Sequence, residues 1–192
     1  MSEFEKHTPE EYQQLQFEVG ETLEIPQVEE FKPKREDFEE KFREIASEIA
    51  HFDLKFSEGS PQREKVKDFL AEGSHQLFLG RGKDKEIIGY ALYQEKNHYL
   101  KHIEAKAIGH ERVSYKRKIR TSLIEGIKEK ASGYLWTKNY DNLMGENDIG
   151  ALMEAGLEIN KKDPSLYLFA KNKEKLKKLN EIIRTSHFVR EP

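Results

Sequence analysis

The segment from His98 to Ala131 constrains this chain more than any other. It reads as a strand, then a run dense in Lys and Arg, then an amphipathic helix, with a further apolar run from Tyr134 to Thr137 behind it. A helix between two strands supplies the long connection that parallel neighbours require, because a tight turn can join only antiparallel ones. A helix start also offers unpaired N–H groups and a partial positive charge. Arg112, Lys116, Arg117, Lys118 and Arg120 stand just before and within the expected first turn. The segment therefore predicts a basic loop ahead of Ile119 that receives a polyanion, most simply a phosphate-bearing ligand.

The rest of the chain alternates in the same manner. Phe38, Phe42, Ile45, Ile49 and Phe52 recur at spacings of three and four and predict a helix within Arg35 to Phe56. A second helix opens at Ser60-Pro61, with Ser as its cap, and stops at Gly73. Gln76 to Leu79 and Glu86 to Gln94 predict a hairpin, and Gly89 inside the return strand marks a bulge or a close backbone approach. Tyr99 to Ile108 is the third strand, and Ile119, Leu123 and Ile127 line the helix that follows. Asn147 or Asp148 caps a short helix that ends at Gly156, Leu157 to Asn160 and Leu166 to Ala170 form a last strand pair, and a basic helix from Lys173 closes the pattern. The fold class expected is mixed α/β, with a largely antiparallel central sheet and helices on both faces. Three regions are expected: an acidic N-terminal extension over 1–34, loose or extended between Gly20 and Pro33; a domain over 35–172; and a basic C-terminal helix over 173–192, packed on the domain through Leu176, Leu179, Ile182 and Ile183.

Composition narrows the chemistry. The chain has 192 residues, a size suited to one domain, and no cysteine, which excludes disulfides, thiolate nucleophiles and Cys-ligated zinc. Its apolar runs fall short of the roughly 18 residues a membrane helix needs, and the acidic start has no signal-like apolar core, so a soluble, cytoplasmic protein without membrane contact is expected. Charge is uneven: net −9 over residues 1–48 and net +6 over the remainder, with the basic surplus at 112–120 and 171–178. Those two segments, rather than the whole surface, are where anions would gather.

This order and these local sequences resemble the GCN5-related N-acetyltransferase (GNAT) superfamily over roughly residues 35–172. Ile87-Ile88-Gly89-Tyr90-Ala91-Leu92 is similar to the family's third strand and His102-Ile103-Glu104-Ala105-Lys106-Ala107-Ile108 to its fourth. Thr121 to Ile127 resembles the helix after the pyrophosphate loop, and Ala151 to Leu157 the late helix. Two departures stand out. The loop motif, normally Arg/Gln-x-x-Gly-x-Gly/Ala, is here Tyr115-Lys116-Arg117-Lys118-Ile119-Arg120, and Leu152 stands where the family often has a proton-donating Tyr.

The resemblance implies acetyl-CoA, or a related acyl-CoA, as cofactor, and an amine on a small molecule or protein as acceptor, attacking the thioester directly. It implies that Ile108 and its neighbours pair through backbone with the pantetheine arm, that Lys116, Arg117, Lys118 and Arg120 hold phosphates around Ile119, and that Glu104 is the general base. Tyr140 is a candidate for the missing acid. Strand alternation puts His98, Leu100, His102, Glu104 and Lys106 on one face, bordering a cleft, with Ile103, Ala105 and Ala107 on the other. His98 and His102 lack a third convergent ligand, so no metal site is expected. Plainer readings compete: the basic run as a solvated turn, Glu104 paired with Lys101 or Lys106, the aromatics as core. Two alternatives therefore stand beside the enzyme: a catalytically degenerate GNAT-fold binding or regulatory module, and an anion- or nucleic-acid-binding protein, for which Tyr115 is the only interleaved aromatic.

Overall fold

A computed structural model of the chain describes residues 25–106, 112–139 and 146–185. Its centre is a seven-stranded sheet in the order β1-β2-β3-β4-β5-β7-β6. The strands are β1 (Gln27–Glu30), β2 (Gln76–Arg81), β3 (Ile87–Gln94), β4 (Tyr99–Ala105), β5 (Tyr134–Lys138), β6 (Glu158–Ile159) and β7 (Leu166–Ala170). The helices are α1 (Phe38–Ala50), α2 (Pro61–Ala71), α3 (Arg112–Lys130), α4 (Glu146–Glu154) and α5 (Lys173–Thr185). Every strand pairing is antiparallel except that of β4 with β5, the pair joined through α3. The mixed, largely antiparallel architecture is the one expected.

Two cores sandwich the sheet. Phe42, Ile45 and Ile49 of α1 and Val66 of α2 pack on Leu77, Leu79, Tyr90 and Leu92. Ile119, Leu123, Ile124 and Ile127 of α3, with Ala151 and Leu152 of α4, pack on Phe78, Ile88, Ala91, Tyr93 and Leu100. Successive strand residues point to opposite faces, so one buried strand feeds both layers. A smaller cluster beneath α5 joins Leu179 and Ile183 to Tyr99, Trp136, Leu166 and Leu168. Leu176, expected on that docked stripe, is exposed instead.

Several expectations change. The stretch between Gly20 and Pro33 contributes β1, an edge strand paired with β2, so the sheet begins ahead of residue 35. Gly126 makes room for it: a Cβ there would lie 2.6 Å from Val28 Cγ1. Ser60 precedes α2, but its hydroxyl donates to the Lys55 carbonyl and does not cap the helix. The largest change is in the basic run. Residues 115–120 are not a loop; α3 begins at Arg112 and includes them all. Lys and Arg are good helix formers, no Gly or Pro interrupts 112–120, and the apolar stripe of Ile119, Leu123 and Ile127 extends back by one turn to Tyr115. Without the family's glycines nothing stops the helix from starting early.

A bulge alters β4 as well. Leu92 faces His102 and Tyr93 faces Leu100, which leaves Lys101 as the extra residue. Leu100 thereby joins the core under α3, while His102 packs 5.4 Å from the Tyr90 ring near α1, so the two do not share the face that simple alternation assigns them. Gly89 has the close approach that its position in the strand implied. A Cβ there would lie 2.6 Å from Ile119 Cγ2 and 3.0 Å from the Glu104 carbonyl oxygen.

Gly89→Ala should therefore force α3 away from the sheet and lower stability by about 1–3 kcal/mol. Trimming the opposing side chain with Ile119→Val in the same chain should restore part of that loss. Denaturant midpoints of the two single variants and the double variant measure the coupling.

Candidate functional site

β4 and β5 run parallel but stay together only at one end. Tyr99 pairs with Trp136, the Trp136 N–H donates to the His98 carbonyl, and the Thr137 hydroxyl donates to the Leu100 carbonyl at 2.8 Å. The bulk of Trp136, fully buried with its indole N–H on the Asn97 carbonyl, anchors this closed end. Toward their C-terminal ends the strands part around a cavity of about 370 Å³. Its walls include Leu100 to Glu104 of β4, Thr137 to Asn139 at the end of β5, Arg120 of α3, Asp148 and Leu152 of α4, and Lys55 from the turn after α1.

The parting leaves a strand edge to be satisfied. Lys106 N–H donates to Ile88 across β3, so the alternate residue, Ala105, presents its N–H at the edge that β5 has left. Glu104 meets that need with its own side chain, Oε1 accepting the Ala105 N–H at 2.9 Å. The same oxygen accepts from Arg120 Nη2 at 2.8 Å, and Lys116 Nζ stands 3.9 Å away. Arg120 is buried, and its Nη1 lies 2.7 Å from Asp148 Oδ1. One guanidinium thus ties β4, α3 and α4 together across the inner end of the cavity.

Arg117, another cation of the run, serves packing. Arg117 Nε lies 2.7 Å from Glu154 Oε1, and its guanidinium occupies the space where a Cβ on Gly150 would be. The Thr121 hydroxyl donates to Glu154 Oε2, and Lys128 Nζ, 4.2 Å over the Phe169 ring, donates to the Ala155 carbonyl at the end of α4. A helix C-terminus favours such a cation. The basic face of α3 is therefore in large part its seam with α4. Ile119 is wholly buried against the sheet.

His102 is the cavity's other chemically equipped residue. Its Nε2 is buried and has no hydrogen-bond partner among the described residues. Burial, reinforced by the nearby Lys55 ammonium, pulls its pKa below the ordinary histidine value, so the ring is neutral at neutral pH. Beside it the Tyr90 hydroxyl donates to Asp53 Oδ2 at 2.6 Å. His98 lies elsewhere, its Nδ1 3.1 Å from the Tyr93 hydroxyl and its ring against Tyr134. Ile108 and Tyr140 lie outside the described residues. The structure thus brings Glu104 and Arg120 to one cavity, with Lys116 3.9 Å from the Glu104 carboxylate, and sends Arg117 to the α3–α4 seam. Sequence patterning missed Lys55 and Asp148, whose separation from β4 along the chain leaves no local signal.

No family model matches the chain, and no curated protein matches it. Among solved structures it is similar to the GNAT family N-acetyltransferase YhbS from Escherichia coli in complex with CoA, at 12% identity over 79% of this chain and 84% of that one, with a TM-score of 0.49. It is similar to Tetrahymena GCN5 at 10% identity over 76% and 96% of the two chains, TM-score 0.48. It is also similar to the aminoglycoside acetyltransferase AAC(6')-Ib in complex with coenzyme A, at 13% identity over 80% and 99%, TM-score 0.46.

Arg120→Ala would leave the Glu104 and Asp148 carboxylates facing each other without their shared cation. A loss of about 2–4 kcal/mol in unfolding free energy is expected. Restoring charge balance with Glu104→Gln and Asp148→Asn in that background should recover much of it, as read by urea unfolding.

Proposed function

We propose that the chain is a divergent member of the GNAT superfamily that binds acetyl-CoA or a related acyl-CoA at the opening between β4 and β5, and passes the acyl group to an amine. The observation that supports this most is the parting of the one parallel strand pair around a cavity of about 370 Å³, within the range of small-molecule sites. Crossover topology places ligand sites at the C-terminal ends of parallel strands. The residues that would hold the coenzyme are the β4 backbone edge near Ile103 and Ala105, and Lys116 one turn into α3 beside it; Lys118, about 200° further round the helix, presents a different face. The coenzyme supplies an acyl group already activated as a thioester. Arg117 and Arg120, bound to carboxylates of α4 and β4, add little to a phosphate site, which sets this chain apart from the loop its relatives' motif describes.

His102 is better equipped than Glu104 to accept a proton. Glu104 Oε1 already holds the Ala105 amide and the Arg120 guanidinium, whereas His102 Nε2 is uncommitted and lines the same cavity. In the transfer the amine nitrogen bonds to the acyl carbon, the carbon–sulfur bond breaks with its electron pair leaving on sulfur, and His102 Nε2 receives the amine's proton. Glu104 acts as a positioning residue that holds the β4 edge and Arg120. The degenerate binding-module reading shares the coenzyme site and differs only in the absence of turnover.

Acetyl-CoA at a hundredfold excess over its dissociation constant should raise the melting temperature by about 5–10 °C. No rise at millimolar coenzyme would remove the reading. With an accepted amine, His102→Gln should keep that thermal shift but lower kcat/KM by about 10²–10⁴-fold. In the unaltered protein kcat/KM should fall as pH drops, with the His102-dependent limb centred below the ordinary histidine value of 6.5. An unchanged rate in the variant would show instead a protein that binds coenzyme without using this imidazole.

A further inference from the structure

The charge around the cavity bears on which amine can enter. Among the described residues that line it, Lys55, Lys101, Lys138 and Arg120 face only two carboxylates, Glu104 and Asp148. Arg120 engages both of those carboxylates at 2.8 and 2.7 Å. That leaves Lys55 among the lining cations.

Lys55 stands on the short helical turn Leu54–Phe56 that follows α1, with its side chain exposed at the cavity wall. Its ammonium forms no ion pair among the described residues. The nearby carboxylate, Asp53, is already used: Oδ1 accepts the Lys55 backbone N–H at 3.0 Å and Oδ2 accepts the Tyr90 hydroxyl at 2.6 Å. Lys101, which also lines the cavity, and Lys65 both stand near the Phe69 ring, their ammonium groups 4.7 and 5.8 Å from its centroid. A polycationic peptide at the cavity would meet Lys55 and Lys101 together, whereas a small anion would be drawn to Lys55.

Resting on the coenzyme reading above, we propose that the acceptor is a small amine that also carries an anionic group, with the anion held by Lys55 at the mouth and the amine directed to His102 Nε2. The imidazole Nε2 and the ammonium, neither with a side-chain hydrogen-bond partner among the described residues, line the same cavity. Such an arrangement suits a molecule with opposite charges a few bonds apart. It disfavours diamines and basic peptides, whose second cation would sit against Lys55.

Three amines of matched length test this: β-alanine with a carboxylate, propylamine with no second charge, and 1,3-diaminopropane with a second cation. With acetyl-CoA saturating, kcat/KM should fall in that order, by about three- to fivefold per step for a solvent-exposed charge contact. Measured well above the imidazole's titration, where His102 is neutral in both proteins, Lys55→Gln should raise KM for β-alanine by a similar factor, leave propylamine and the affinity for coenzyme unchanged, and be rescued by Lys55→Arg. A preference for the diamine, or a β-alanine KM indifferent to Lys55, would overturn the proposal while leaving the coenzyme reading in place. Propionate titrated into the protein without coenzyme gives a separate readout. It should shift the imidazole resonance of His102, identified through His102→Gln, and lose that effect in Lys55→Gln. That result would stand even if acetyl-CoA did not bind, and its absence would count against the anion seat whatever the coenzyme does.

Discussion

The guanidinium of Arg120 is the interaction on which the site's shape depends. It is buried, and it joins Glu104 of β4 to Asp148 of α4 from its own position on α3. A charge in that environment is tolerable only because it is paired and hydrogen-bonded, and each carboxylate is tolerable beside the other only because the cation lies between them. The pairing holds β4, α3 and α4 at a set spacing around the place where the sheet opens. The hydrophobic layers under α3 supply the bulk of the stability, but apolar packing is indifferent to small sliding movements. The ion triad is directional, and so it specifies how α4 meets the strand edge.

The opening itself follows from a conflict between two demands on β4. Its first half must pair with β5, and Trp136 and Thr137 bind it there through the His98 and Leu100 carbonyls. Beyond that point β5 departs, and the exposed edge must find other partners. Glu104 folds its carboxylate back onto the Ala105 amide, which satisfies a donor that water or another strand would otherwise take. A residue for which the family resemblance implies a general-base role is thereby occupied as a structural acceptor. The bulge at Lys101 then decides what faces the cavity, turning His102 toward Tyr90 and away from the α3 core. The free imidazole nitrogen and the carboxylate that holds the edge therefore belong to different residues two positions apart, His102 and Glu104.

Much of the fold was legible in the chain, for reasons that can be named. The stripe from Phe38 to Phe52 and that from Ile119 to Ile127 could bury an apolar face only as helices, and both do. Gly89 marked a close approach because no side chain fits between β3 and Ile119, and Gly156 marked a helix stop because its φ of +79° is the left-handed conformation glycine accepts freely. Dense positive charge ahead of Ile119 suggests a loop, but charge alone does not break a helix, and Lys and Arg without Gly or Pro favour helix through this run.

The amino-acid sequence by itself determined the alternation of strand and helix, the parallel crossover through α3 and the presence of a dense cationic face, since these depend on periodicity and composition along a few turns of chain. Only the tertiary structure decided what those cations do. Whether a lysine or arginine meets phosphate, solvent or a carboxylate depends on what the fold carries within about 4 Å of it, and Asp148, Glu154 and Glu104 reach α3 from parts of the chain that no local pattern connects to it. The same holds for Lys55 and His102, which are 47 positions apart in the sequence and line one cavity because the sheet opens between them.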